Sequence, residues 1–331
     1  MQAIRIVQIG MGPLGVKIAK MIAERKGITT VAAVDINPAL QAKDLGELCG
    51  STANDVRVES DLAAAVKRTQ PDIAVLTTVS DVQRIAKQVK AIVELGLPIV
   101  STCEELSHPW DEASEQAKEM DEWAKANQVA ILGTGVNPGF LMDALPTFLT
   151  AVSQGVDQIT VKRYQDAQFR RIPFQQKIGA GLSLAAFEEK KKAGTLRHVG
   201  LTESMQMIAR RMGWTLDKTE DVISPVIAEA QIETAAMTIP KGYAAGVRQV
   251  GRAFVDGEVK IELQFQAAVG EAESFDEIRI AGQPNIQSRI AGGVNGDIAT
   301  GAITINAIPR VLEASPGLKT MMEISPVSYF G

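Results

Sequence analysis

Gly10-Met11-Gly12-Pro13-Leu14-Gly15 constrains this chain more than any other segment, because of what stands on either side of it. The β-branched run Ile4–Ile9 leads in, and an amphipathic stretch over 14–26 leads out, with Leu14, Ile18, Met21 and Ile22 on one face. Glycines at this spacing between a strand and a helix permit a tight turn, a close backbone approach by a pyrophosphate, and close helix–strand packing. The helix start then offers unpaired N–H groups and the positive end of a dipole to the phosphates. Gly10, Met11, Gly12, Pro13, Leu14 and Gly15 are therefore expected to line a dinucleotide site.

Asp35 ends the next strand-like run, 31–34, twenty positions past Gly15. A carboxylate there accepts both hydroxyls of an adenosine ribose. It would repel a 2′-phosphate, and Ile36, Asn37 and Pro38 bring no cation, so NAD is expected over NADP. Further runs at 72–78, 98–102 and 129–132 alternate with helical stretches near 61–68, 80–95 and 111–127. That alternation means a parallel sheet covered on both faces, here the doubly wound Rossmann α/β fold. Ligands of such sheets lie beyond the carboxyl ends of the strands. Thr77, Thr78, Cys103, Asn137 and Pro138 stand at those ends and are expected to meet ribose and nicotinamide. Asn137 carries the donor and the acceptor that a carboxamide needs.

The rhythm changes after Asn137. A helix is expected over 138–153, an alternating strand over 158–165, and helices near 183–193 and 201–212. Long strand-like stretches follow at 221–235, 243–256, 258–269 and 277–281, with Asp256-Gly257-Glu258 as a hairpin turn. This reads as an α+β second domain with a mainly antiparallel sheet and helices on one face. Residues 296–312 are almost uniformly apolar, so a helix there must be buried, by returning to the first domain. The expected domains are 1–137, 138–290 and a returning segment 291–331. A net charge of −5 excludes a nucleic-acid partner, which requires a basic face. Two Cys and two His without ligand spacing give no metal site, and no apolar run reaches a membrane span, so a cytoplasmic protein is expected.

The fingerprint, Ser101-Thr102-Cys103-Glu104-Glu105-Leu106-Ser107-His108-Pro109-Trp110, GTGVNPGFLMD over 133–143 and NGDIATGAITINAIPRV over 295–311 together resemble the 2,4-diaminopentanoate dehydrogenase family. The resemblance implies an N-terminal domain like that of dihydrodipicolinate reductase, and NAD(P)-dependent oxidative deamination of an amine to a ketone and ammonia. It also implies a homodimer and use of either nicotinamide cofactor. In that family a glutamate just after the strand ending in Ser-Thr-Cys holds the reacting amine, which here is Glu104. A carboxylate there stabilises an iminium and relays protons. Glu105 is read instead as a carboxylate suited to a helix start.

In the second domain, alternation sets Ile159, Val161 and Arg163 on one face of a strand and Lys162 and Tyr164 on the other. If its face points into the cleft, Arg163 is the candidate for a substrate carboxylate, with Arg170 and Arg171 as rivals; a surface or interdomain charge is the alternative. Phe140, Leu141, Tyr164 and Phe169 are the candidate apolar wall, with core packing as the alternative. His108 and His198 are read as structural. A dihydrodipicolinate reductase-like or aspartate-type dehydrogenase is a second reading, against which two isolated His residues count. A catalytically silent NAD sensor is a third, and the acid at Glu104 counts against it.

Overall fold

The computed structural model describes residues 3–168, 170, 172–196, 199–235 and 237–331. The strands in chain order are β1 (Ile4–Ile9), β2 (Ile28–Val34), β3 (Val58–Glu59), β4 (Ile73–Leu76), β5 (Ile99–Ser101) and β6 (Ala130–Gly133). Then come β7 (Gly155–Asp166), β8 (Lys218–Ile227), β9 (Ile232–Glu233), β10 (Thr238–Ile239) and β11 (Ala244–Val255). The last are β12 (Glu258–Ala268), β13 (Phe275–Gln283), β14 (Ile286–Ala291) and β15 (Gly317–Lys319). They divide between two compact units, Met1–Phe140 with Asn295–Gly331, and Leu141–Val294.

The first unit holds a parallel sheet in the order β15-β6-β5-β4-β1-β2-β3. The order in which strands are added reverses between β1 and β4, which makes the carboxyl ends of those strands a switch point of the kind at which such sheets bind ligands. Every residue of β4 and β6 is buried, as a sheet covered on both faces demands. One covering helix, Val82–Val93, buries Val82, Ile85, Ala86, Val89, Ile92 and Val93, the stripe of a 3.6-residue period. Its N-cap, Asp81, accepts from the Arg84 N–H at 2.8 Å. The apolar helix Gly296–Leu312 packs in this unit against the helix Pro13–Ala23. Contact there is so close that a Cβ on Gly301 would lie 2.6 Å from Met21 Sδ.

In the second unit the sheet order is β14-β13-β7-β12-β11-β8, and every pairing is antiparallel except β7 with β12. Asp256 and Gly257, with φ of +52° and +78°, make the tight turn between β11 and β12. The helix Leu201–Met212 lays Leu201, Met205, Ile208 and Ala209 on Ile159, Val161, Ile261, Leu263, Ile278 and Ile280. The opposite face is polar, with ion pairs Arg252–Glu262 at 2.7 Å and Arg279–Glu277 at 2.8 Å. Over 138–153 the expected helix is cut short to Ala144–Leu149 plus a 3-10 turn, Thr150–Val152. Gly139 has φ +127°, which no helix accommodates, and the helix starts only after Asp143 accepts from the Ala144 N–H. Among the described residues no helix is long and apolar enough to cross a membrane.

Candidate active site

The fingerprint loop lies at the carboxyl end of β1. Gly10 has φ +88°, and a Cβ on it would lie 2.7 Å from the Thr77 carbonyl oxygen. A Cβ on Gly15 would lie 2.0 Å from the Gly10 carbonyl oxygen, so helix and strand touch backbone to backbone. Gly12 differs: nothing stands within 4 Å of where its Cβ would be. That open backbone is the face a phosphate can approach. Gly12 is also the N-cap of Pro13–Ala23 without a side-chain cap, and Pro13 has no N–H. The N–H groups of Leu14 and Gly15, in the first helical turn, are left for an anion.

Beneath the loop, Gln8 is fully buried, and its Nε2 donates to Thr77 Oγ1 at 2.9 Å and to the Gly10 carbonyl at 3.2 Å. Thr77 Oγ1 in turn donates to the Gly10 carbonyl at 2.8 Å. Thr77 thus braces the loop from below, while Thr78 Oγ1 donates to Gln88 Oε1 at 2.8 Å. The sequence reading missed Gln8; the available signal was a single amide in an otherwise apolar buried strand. Asp35 accepts from the Met11 N–H at 2.6 Å on one oxygen and from the Asn37 N–H at 2.8 Å on the other. Each oxygen keeps acceptor capacity for a ribose hydroxyl. The Met11 side chain packs in a core cluster with Ala19, Ala33, Leu45 and Cys49, so Met11 offers the site its backbone alone.

Two carboxylates follow β5, and the structure treats them differently. Glu105 Oε2 accepts from the Val82 N–H at 2.9 Å, at the start of the Val82–Val93 helix. Glu104 is half-buried, and among the described residues its carboxylate has no hydrogen bond or ion pair. Its carbonyl accepts from the Ser107 N–H at 3.1 Å and from the Ser107 hydroxyl at 2.7 Å, closing a tight turn. Cys103 corrects an expectation: its side chain lies in the core with Ile99 and Leu106, where burial pushes the thiol up and keeps it neutral. Its side chain contributes packing, which leaves its backbone for any contact with a cofactor. His108 is fully buried, with Nε2 2.9 Å from Asp111 Oδ2.

At the end of β6, Asn137 and Pro138 are buried. Among the described residues neither the Oδ1 nor the Nδ2 of Asn137 has a hydrogen-bond partner. Leaving a buried polar group unpaired costs about 1–3 kcal/mol. A nicotinamide carboxamide offers the complementary donor and acceptor, so the residues present fit that group. The adjacent Val136 N–H donates to Thr300 Oγ1 at 3.3 Å, tying this loop to the Gly296–Leu312 helix. Phe140, half-buried, ends this unit.

In the second unit Leu141 is buried at its start. Arg163 is 2% exposed and is bound internally: its guanidinium donates to Asp276 Oδ1 at 3.0 Å and to the Val294 carbonyl at 2.8 Å. Asp276 Oδ2 accepts from the Val294 N–H at 2.8 Å. Burial pulls the Arg163 guanidinium down and pushes the Asp276 carboxyl up, each opposed by the partner's charge. Tyr164, one residue on, points to the other sheet face, its ring stacked on Phe275 at 4.9 Å and its hydroxyl donating to Gln264 Oε1 at 3.1 Å. Successive strand residues leave on opposite faces, so Arg163 and Tyr164 do not line one pocket. Arg170 donates to Gln165 Oε1 at 3.2 Å and lies over the Phe174 ring. Phe169, Arg171 and His198 lie outside the described residues.

Residues 140–329 match the family described as 2,4-diaminopentanoate dehydrogenase C-terminal domain, and residues 4–131 match dihydrodipicolinate reductase, N-terminus. A 2,4-diaminopentanoate dehydrogenase of Acetoanaerobium sticklandii is 30% identical, covering 98% of this chain and 94% of that protein. Among solved structures, an amine dehydrogenase from Mycobacterium smegmatis superposes with a TM-score of 0.84 at 24% identity, covering 99% of this chain and 97% of that one. A dipicolinate-bound dihydrodipicolinate reductase from Paenisporosarcina sp. shares the fold at a TM-score of 0.53 and 16% identity, covering 97% and 99%. The extent of these matches leads to one assignment. The chain belongs to the 2,4-diaminopentanoate dehydrogenase family, oxidoreductases that act on CH–NH2 groups with a nicotinamide cofactor.

Proposed function

We propose that this chain catalyses the reversible, NAD-linked oxidative deamination of an amine to the corresponding ketone and ammonia, with Glu104 as the group that holds the amine. The observation that carries this reading is the half-buried Glu104 carboxylate, without a hydrogen-bond or ion-pair partner among the described residues, just beyond the carboxyl end of a central parallel strand. The nicotinamide supplies hydride transfer at the amine-bearing carbon. Glu104 attracts the substrate ammonium, accepts a proton from it so that the neutral amine can give up hydride, stabilises the iminium that results, and exchanges protons as water adds and ammonia leaves. Asn137 orients the carboxamide and Gly12 admits the pyrophosphate. The decisive assay is steady-state oxidation of 2,4-diaminopentanoate beside cyclohexylamine, which carries no carboxylate, with both cofactors. Turnover of neither amine, in a protein that binds NADH, would overturn the reading.

The cofactor preference rests on Asp35. NADH is expected to bind more tightly than NADPH, and Asp35→Ala to narrow the gap by about tenfold, roughly 1.4 kcal/mol, as like-charge repulsion is relieved. Titration showing wild-type protein favouring NADPH would remove Asp35 from the ribose.

Assembly as a homodimer through the second sheet is also proposed. The apolar side of that sheet is covered by its own helices, so the pairing face is the polar one, carrying Lys162, Tyr164, Arg252, Glu262 and Glu277. Its alternating charges make it self-complementary, and screening weakens such contacts. Light scattering is expected to give a dimer at micromolar concentration that loosens in high salt; a monomer at low salt would count decisively against it.

A further inference from the structure

We infer that Glu105 is a positioning residue for Glu104, holding the turn that presents the amine-binding carboxylate; this rests on the proposed role of Glu104. Glu105 makes a reciprocal pair of contacts with the loop that follows β4. Its N–H donates to the Ser80 carbonyl at 3.3 Å, and its Oε2 accepts from the Val82 N–H at 2.9 Å. Val82 is the first residue of a twelve-residue helix, and its N–H is one of the orphan donors of that terminus. Asp81 takes the Arg84 N–H, so the two acids share the terminus between them. From below, the turn rests on β6, where a Cβ on Gly133 would lie 2.5 Å from the Leu106 carbonyl oxygen.

The neighbouring carboxylates therefore divide the work. Glu105 is spent on a helix that carries no other residue of the amine site, and Glu104, on the same tight turn, is left to face the substrate. Without the Glu105 side-chain bond, the turn keeps only one tie to the loop after β4, the long Glu105 N–H to Ser80 carbonyl bond of 3.3 Å, beside the Glu104 to Ser107 bonds internal to it and its packing on β6. Small displacements of a charge-stabilising group are costly, since positioning errors of about 1 Å lower rates by up to about 100-fold.

The test is a double-mutant cycle on the full-length protein, with amine oxidation, NADH affinity and thermal unfolding measured together. Glu105→Ala is expected to lower kcat about 10- to 100-fold with NADH affinity kept within a few-fold. Glu105→Gln retains an acceptor oxygen and is expected to restore most of kcat. Val82→Pro removes the same bond from the donor side; proline is tolerated at the first helical position, and Asp81 already has the extended φ −97°, ψ 126° that precedes proline. It should reproduce the kcat loss even if Glu105→Ala fails to fold. In a Glu104→Gln background, Glu105→Ala should lower kcat no further, because a residue acting through Glu104 has nothing left to position. An additive loss overturns the inference, and so does wild-type kcat in Glu105→Ala and Val82→Pro when Glu104→Gln is inactive. If Glu104→Gln itself keeps full turnover, the proposed role of Glu104 falls first.

Discussion

Glu104→Gln is expected to lower turnover about 10²–10³-fold, or roughly 3–4 kcal/mol, in both directions of the reaction. The amide keeps the size and hydrogen-bonding reach of the side chain but lacks the charge that an iminium requires. NADH affinity should stay within a few-fold, because the proposed phosphate and ribose contacts, Gly12 and Asp35, follow other strands, β1 and β2. The side chain has no protein hydrogen bond among the described residues, so its replacement leaves no internal partner stranded and the fold should be unaffected. Comparison of kcat, NADH titration and melting temperature separates these effects. Near-normal turnover would make Glu104 structural.

Arg163→Leu is expected to destabilise the protein by about 3–5 kcal/mol, with its first effect on folding rather than on substrate affinity. The loss follows from what stays behind: the Asp276 carboxylate, buried and left, among the described residues, with the Val294 N–H as its one hydrogen-bond donor. Burial already raises the Asp276 carboxyl above its ordinary range with the guanidinium present, and removing that charge raises it further. A carboxyl raised in the folded state favours folding below its unfolded pKa, and that benefit is lost as pH rises through the folded value. The penalty of Arg163→Leu should therefore shrink in mild acid and be largest at neutral pH. Urea unfolding at several pH values checks this; a variant as stable as wild type would show that Asp276 is neutral in the native protein.

Arg163 also shows where sequence reading stops. Alternation along β7 sorts Arg163 from Tyr164 correctly, because side-chain direction is local. What each face meets depends on Asp276, whose strand pairs with β7 from more than a hundred residues away. The same holds for Glu104 and Glu105. They are adjacent and chemically identical in kind, and the donor that claims one of them sits on Val82, at the start of a helix that follows another strand. By contrast, the strand, glycine turn and helix of the fingerprint are contiguous, and each glycine's duty is a steric fact about neighbouring backbone. Strands buried on both faces read as apolar runs, which made β1, β4 and β6 legible. Two- and three-residue strands such as β3 and β15 carry too few positions to show any period and were invisible. Over 138–153 the apolar spacing suggested one helix, but Gly139 takes a backbone conformation that apolar spacing does not report.

The nucleotide-binding unit takes its material from both flanks of the other one, and this sets a timetable for the nascent chain. Leu141–Val294 is contiguous, so it can close its sheet as soon as it leaves the ribosome. Until Asn295–Gly331 has emerged, the unit begun earlier lacks both its last strand and its apolar helix, leaving β6 as an open edge and Met21 uncovered. Domains usually mature in the order of synthesis. Here the order is inverted: the part made first is finished last, and for that interval it presents an unpaired strand edge of the kind that chaperones shield and that recruits other chains.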